Sequence, residues 1–239
     1  LVGNFIYVWG VVELKKVYLE KAYKLVTEEV PIPKPGDTEV VIAIKVCGVC
    51  ATDVHSYQGE SIHGKRYPFH PGHEIAGVVH SLGSHVNGLK VGDLVVVDPL
   101  YPCGECEFCL DEKENHCLDM KTLGIVGPGG YSDFTVVPAR SVHRFENMSL
   151  HQAAFAEPLA TVIYGIERAQ VTLGDSVLIQ GMGPIGLLHL QVILGLGIKQ
   201  VVVTDLNPAK LALAESLGAT QAILAEDDIR RSHRLYGSA

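Results

Sequence analysis

Residues 175–205 read DSVLIQGMGPIGLLHLQVILGLGIKQVVVTD, and this stretch decides the fold. A β-forming run, SVLIQ (176–180), leads into G-x-G-x-x-G at Gly181, Gly183 and Gly186. A helix-forming run follows over 185–197, then a second β-run, QVVVTD, ending at Asp205. Strand, glycine loop, helix and strand, with an acid about 20 residues beyond the loop, make the fingerprint of a dinucleotide-binding βαβ unit. The glycines permit a tight turn. They let a pyrophosphate approach the helix start at Pro184 and Ile185, where free N–H groups and the helix dipole favour an anion. Asp205 can accept hydrogen bonds from both ribose hydroxyls, and its charge opposes a 2′-phosphate. Leu206 and Asn207 supply no compensating Arg, so the expected cofactor is NAD rather than NADP.

Downstream, only ATQAIL (219–224) reads as a third strand, and EDDIRRSHRLYGSA carries no strand or helix pattern. A complete fold of this kind has two such halves. The expectation is a C-terminally truncated half-sheet whose apolar edge, after ATQAIL, invites pairing or aggregation. Upstream, Ser149–Gln170 has helical periodicity, with Pro158 suited to the first turn of a helix. Before it, from Glu39 to Asp98, short β-runs (VVIAIKV, IAGVVHSLG, LVVVDP) are broken by Gly and Pro. GGYSDFTVVPARSVHRF (129–145) closes this β-rich part. The expected fold class is α/β with a β-rich part. The expected division is an N-terminal extension over 1–12, a β-rich domain over 13–150 and a partial nucleotide-binding domain over 151–239.

Four of the six cysteines lie in PCGECEFCLDEKENHC (102–117). Cys103, Cys106, Cys109 and Cys117 have the spacing C-x2-C-x2-C-x7-C. Four thiolates can close a structural zinc site, and C-x2-C-x2-C runs also hold iron–sulfur clusters. The long last gap favours zinc. The remaining two cysteines fall in CGVCATDVH (47–55), where Cys50 precedes Thr52, Asp53 and His55. PGHEIAGVV adds His73 and Glu74. Cys, His and carboxylate form the ligand set of a zinc site that keeps a position open. Cys47 ends an apolar run and reads as a buried strand thiol.

The 239 residues are 47% hydrophobic, with a formal net charge of −8 and no long basic run. Nucleic acid is therefore an unsuitable partner, since phosphate binding needs clustered cations. The apolar start, LVGNFIYVWGVVEL, is too short to span a membrane and lacks the basic residue and cleavage site of a secretory signal. The expected setting is the cytoplasm, with no membrane partner, where close-spaced cysteines bind metals more often than they form disulfides.

Together CGVCATDVH, PGHEIAGVVHSLG, CGECEFCLDEKENHC, FAEPLATVIYGI and GMGPIG resemble the zinc-dependent medium-chain alcohol and polyol dehydrogenases, from about residue 13 to about 225. The resemblance implies a GroES-like catalytic domain followed by the first half of a Rossmann fold. It implies two zinc ions and NAD, with a small alcohol or polyol as substrate and a homo-oligomer at full length. It assigns Cys50 and His73 to a catalytic zinc and the four-cysteine loop to a structural one. Where liver-type members carry a Cys in the segment FAEPLA, this chain has Glu157. Glu74 and Glu157 are then expected to share the third ligand position. On the same resemblance Asp53 hydrogen-bonds His73 from outside the ligand set. Thr52 passes the substrate's proton through the cofactor ribose toward His55 or solvent, and the substrate carbon gives hydride to NAD. Two other readings stay open: a non-catalytic or impaired zinc-binding fragment, and a zinc-containing reductase of the same superfamily.

Overall fold

A computed structural model of the chain describes residues 14–60, 67–124 and 127–225. The expected extension over 1–12 and the segment after Ala225 lie outside these residues. Packing divides the chain into two units between Glu157 and Pro158. The sequence pattern put that division after residue 150. The difference is a short helix whose Ala153 and Ala154 pack with Ala76 against Val46, Val96 and Phe145 of the β-rich part.

In the first unit, β1 (Leu14–Lys21) and β2 (Lys24–Val30) form an antiparallel hairpin. Strand β3 (Glu39–Cys47) follows, then helix α1 (Ala51–Tyr57), β4 (Ile75–Leu82) and β5 (Leu94–Val97). The cysteine loop lies between two short strands, β6 (Leu100–Tyr101) and β7 (Lys121–Thr122), and contains one turn of helix, α2 (Glu107–Leu110). Strands β8 (Phe134–Pro138) and β9 (Val142–Arg144) come next, then helix α3 (Leu150–Ala153). Five strands form one antiparallel sheet in the order β8-β3-β4-β5-β9. The three expected runs are β3, β4 and β5, and the stretch 129–145 supplies both edges.

Val40, Ile42, Ile75, Val79, Val95 and Val137 are all 2% exposed or less and form the centre of this unit's core. Each such side chain stabilises the fold by about 1.5–3 kcal/mol relative to exposure. Register then positions the chemistry. Cys47 at the end of β3 is paired with Ile75 at the start of β4, and Gly48 N–H donates to the Glu74 carbonyl at 2.9 Å. The segment after β3 and the segment before β4 therefore emerge side by side. In the same way, the pairs Leu100–Thr122 and Tyr101–Lys121 close the base of the cysteine loop.

The second unit continues from α4 (Ala156–Arg168) into β10 (Ser176–Gln180), α5 (Pro184–Gly195), β11 (Gln200–Asp205), α6 (Pro208–Ser216) and β12 (Gln221–Leu224). Pro158 is the third residue of α4, within the first turn, where a missing N–H breaks no helical bond. The strands are parallel in the order β10-β11-β12. Central β11 is buried along Val201–Thr204, over a core with Val162, Met182, Leu190 and Ala214. Among the described residues, β12 and β10 each have one side without a strand partner. A cleft of about 580 Å³ lies along β10, lined by Gly165, Ile166, Leu178, Ile185, His189 and Ile193 among others. Leu178 is 43% exposed there.

Candidate functional site

Cys50 caps the N-terminus of α1, and its N–H donates to Asp53 Oδ2 at 3.1 Å. His73 and Glu74 immediately precede β4. The antiparallel register brings the two segments together, and the ligand atoms of Cys50, His73 and Glu74 all lie within 4.8 Å of one another. His73 is buried, and its Nδ1 has no hydrogen-bond partner among the described residues. Glu74 reaches this position because Gly48 has no side chain. A Cβ at Gly48 would stand 1.9 Å from Glu74 Oε2.

Asp53 sits beside His73 without bonding to it. The closest approach, His73 Nδ1 to Asp53 Oδ1, is 3.9 Å, beyond hydrogen-bond range. The expected bond is not made; other donors hold the carboxylate at this separation. Oδ1 accepts from Gly72 N–H at 3.2 Å, and Oδ2 accepts from Cys50 N–H and from the Tyr131 hydroxyl at 3.0 Å.

The charges are tuned together. Hydrogen bonding to His73 is the largest influence on the Cys50 thiol and lowers its pKa. Burial pushes His73 down, but the Cys50 thiol and the Asp53 and Glu157 carboxylates outweigh it and leave the imidazole raised. Burial raises Glu74 and Glu157, while His73 pulls both back. Glu157 is in the first turn of α4, and its field reaches His73 and Glu74. It stands outside the three-residue cluster. Cys47 lies behind this cluster, with its thiol pushed up to about 12 by burial.

Thr52 Oγ1 is buried with no geometric hydrogen-bond partner among the described residues, and it helps lower the Cys50 thiol beside it. His55, later on α1, is nearly half exposed and pairs with Glu60. A buried hydroxyl and an outward-facing imidazole on one helix suit proton movement toward solvent.

In the cysteine loop the Sγ atoms of Cys103, Cys106, Cys109 and Cys117 also lie within 4.8 Å of one another. Cys106 and Cys109 sulfurs are 3.5 Å apart, and Cys103 and Cys109 sulfurs 3.8 Å. A tetrahedral metal with bonds of about 2.3 Å requires sulfur separations of about 3.8 Å, whereas a disulfide requires about 2 Å. Backbone N–H groups aim at the sulfurs: Cys103 N–H at Cys117 Sγ (3.2 Å) and Cys106 N–H at Cys103 Sγ (3.3 Å). N–H donors of Leu118 and Cys109 help hold the Cys106 thiol down at about 6. Arg140 donates to the Pro102 carbonyl at the root of the loop.

Both clusters fit a metal. One offers four thiols preset at tetrahedral spacing. The other offers thiol, imidazole and carboxylate, with ligand atoms all within 4.8 Å of one another.

In the second unit, Gly181 has φ +93°, which only glycine adopts without strain. A Cβ on Gly186 would stand 1.9 Å from the Gly181 carbonyl oxygen, so α5 starts hard against the turn. A Cβ on Gly183 would meet nothing within 4 Å, leaving open space beside the N-terminus of α5. Pro184, Ile185 and Gly186 form its first turn. Asp205 at the end of β11 accepts from Met182 N–H at 2.7 Å and from Asn207 N–H at 2.8 Å. Lys210 Nζ stands 3.8 Å from the same carboxylate.

Four participants were not found by sequence reasoning: Gly48, Tyr131, Glu60 and Lys210. Lys210 alone left a signal, a cation five residues after the acid. The others act through space in ways that their neighbours in sequence do not advertise.

Residues 36–147 match the model of the alcohol dehydrogenase GroES-like domain. The chain is 35% identical to D-altritol 5-dehydrogenase of Agrobacterium fabrum, over 92% of this chain and 66% of that protein. It is 35% identical to L-threonine 3-dehydrogenase of Bacillus velezensis, over 87% of this chain and 61% of that protein. A crystal structure of a short chain alcohol dehydrogenase (rspB) from Escherichia coli, complexed with NADH, superimposes with a TM-score of 0.87 at 34% identity. That match covers 96% of this chain and 67% of the other. The chain thus spans about two thirds of the length of such relatives.

Proposed function

The chain belongs to the alcohol dehydrogenase family with a GroES-like domain, and on that footing we propose that it forms the metal- and cofactor-binding part of a zinc- and NAD-dependent dehydrogenase of polyols or secondary alcohols. The convergence of Cys50, His73 and Glu74 on one point carries this reading. The names of relatives that act on D-altritol and L-threonine support the substrate class. In both compounds the hydroxyl to be oxidised is secondary.

A zinc ion held by this set would supply Lewis acidity to the substrate oxygen, and the nicotinamide would accept the hydride. The chain's own residues do the rest. Cys50, His73 and Glu74 hold the metal, and Glu157 stands by as an alternate carboxylate. Thr52 relays the hydroxyl proton, Oγ1 accepting it as its own O–H proton moves on toward His55 or solvent, and His55, paired with Glu60, passes a proton to water. Asp53 fixes the segments that carry Cys50 and His73. Gly181, Gly183 and Gly186 bring the backbone to the pyrophosphate, Pro184 and Ile185 open the helix that faces it, and Asp205 holds the adenosine ribose. Cys103, Cys106, Cys109 and Cys117 hold a structural zinc. A cytoplasmic setting and a homo-oligomer at full length belong to the same reading. Six cysteines outside any disulfide suit a reducing compartment.

The test is NADH formation from altritol, sorbitol, 2,3-butanediol and threonine by the protein that contains this chain. One or more should react, and Cys50→Ser or His73→Ala should abolish the reaction. Undiminished NADH formation by the His73→Ala variant contradicts the proposal.

A further inference from the structure

Tyr131 lies far along the chain from both segments that carry the metal donors, yet it touches each. Its backbone N–H donates to the Pro71 carbonyl at 3.1 Å, next to the segment bearing His73 and Glu74. Its ring covers Gly72, where a Cβ would stand 2.7 Å from Tyr131 Cδ1. Its hydroxyl reaches Asp53 Oδ2 at 3.0 Å and the Gly48 carbonyl at 3.2 Å. One hydroxyl has one proton, and the charged carboxylate is the stronger acceptor.

That carboxylate bridges the two ligand segments. Oδ2 accepts from Cys50 N–H at 3.1 Å, and Oδ1 accepts from Gly72 N–H at 3.2 Å, one residue before His73. Both residues at the centre of this arrangement are sheltered: Asp53 is 7% exposed, and the Tyr131 hydroxyl is directed inward to it. Rotation of the carboxylate about its last torsion is soft on its own. Three donors fix it here, and Tyr131 is the only one of the three that comes from outside the two segments being joined.

We propose that Tyr131 is a positioning residue for the metal centre: through Asp53 it sets the separation of Cys50 and His73 and so the affinity for zinc. This rests on the reading of Cys50, His73 and Glu74 as a metal site. Tyr131 does not touch the metal. It locks a carboxylate that holds two backbone N–H groups, one beside each ligand.

Zinc-loaded chain is equilibrated against graded chelator, and zinc release is followed. Cys50→Ser identifies the release step of the Cys50 site by abolishing it. Tyr131→Phe keeps the ring over Gly72 and removes only the hydroxyl. It should release zinc from the Cys50 site at about tenfold weaker chelation, the low end for partners outside the ligand set. The four-cysteine step should not move. Asp53→Asn should weaken the same step, and Tyr131→Phe should add little in that background, because the hydroxyl acts through the carboxylate. An unchanged Cys50-site step in Tyr131→Phe overturns the proposal. So does a full tenfold effect that persists in Asp53→Asn, or an equal shift of both steps, which would mark a general loss of structure. A wild-type chain with no step sensitive to Cys50→Ser overturns the metal reading itself, a result separate from the others.

Discussion

Glu74 occupies the space that a side chain on Gly48 would need, with Oε2 only 1.9 Å from where that Cβ would stand. Gly48 continues the ladder beyond β3, and Glu74 stands opposite it just before β4. The glycine therefore acts as a site residue, because its emptiness admits a carboxylate to the cluster with Cys50 and His73.

Gly48→Ala should displace the Glu74 carboxylate while leaving the fold in place, since the end of a flexible side chain can move away. Zinc affinity at the Cys50 site should fall by about tenfold or more. The thermal midpoint of the metal-free chain should shift by no more than a few degrees. Chelator competition and thermal unfolding on the same preparation check both.

The four-cysteine loop should behave as a structural site. Cys103→Ala should lose one zinc and lower the unfolding midpoint by more than the about 2–4 °C that 1 kcal/mol produces in a chain of this size. The reason is that among the described residues the base of the loop is otherwise closed by little more than the two-residue strands β6 and β7 and the Arg140–Pro102 bond. A chain that loses the metal with no change in midpoint would show the site to be dispensable.

Zinc uptake at the Cys50 site should be steeply pH-dependent. In the metal-free protein His73 titrates above its ordinary 6.5, and uptake must expel that proton. Affinity should therefore climb as pH rises toward the raised His73 pKa, and flatten only once the Cys50 thiol, itself lowered by His73, has also lost its proton. The metal-free fold behaves oppositely. A raised imidazole contributes stability that is present below the unfolded value and lost as pH rises through the folded one. Thermal midpoints of loaded and metal-free protein should diverge across that window, and parallel pH curves would contradict this.

How much of this was legible in the sequence depends on whether the geometry is local. Gly181, Gly183 and Gly186 announce a turn because spacing along a few residues fixes it, and Asp205 follows from strand length. The x2 gaps of Cys103, Cys106 and Cys109 likewise set sulfur positions within one or two turns. The break between α3 and α4 was only partly visible, since it depends on Ala153 and Ala154 packing under β4. The bond expected between Asp53 and His73 is not formed, and Tyr131 with two backbone N–H groups holds the carboxylate 3.9 Å away. A partner 78 residues away leaves no trace in local pattern. The position of β10 at an edge among the described strands was missed because strand order is a property of the sheet, not of any one run.

Asp205 should govern cofactor choice while Lys210 moderates it. Asp205→Ala removes the ribose acceptor and two hydrogen bonds from Met182 and Asn207 N–H. NADH affinity should drop by on the order of tenfold, as expected for a charged hydrogen-bond partner, and the preference for NAD over NADP should narrow. Lys210→Ala should widen it, because the cation 3.8 Å from the carboxylate offsets repulsion of a 2′-phosphate. Fluorescence titration with both reduced cofactors decides this. An unchanged ratio in Asp205→Ala would contradict the assignment.

Elemental analysis of purified protein and defined variants reads directly whether one chain holds two zinc ions in separate ligand sets. Close to two zinc per chain are expected, one after Cys50→Ser with the four-cysteine site still filled, and no iron. A single zinc that survives Cys50→Ser unchanged, or iron in place of zinc, would contradict this.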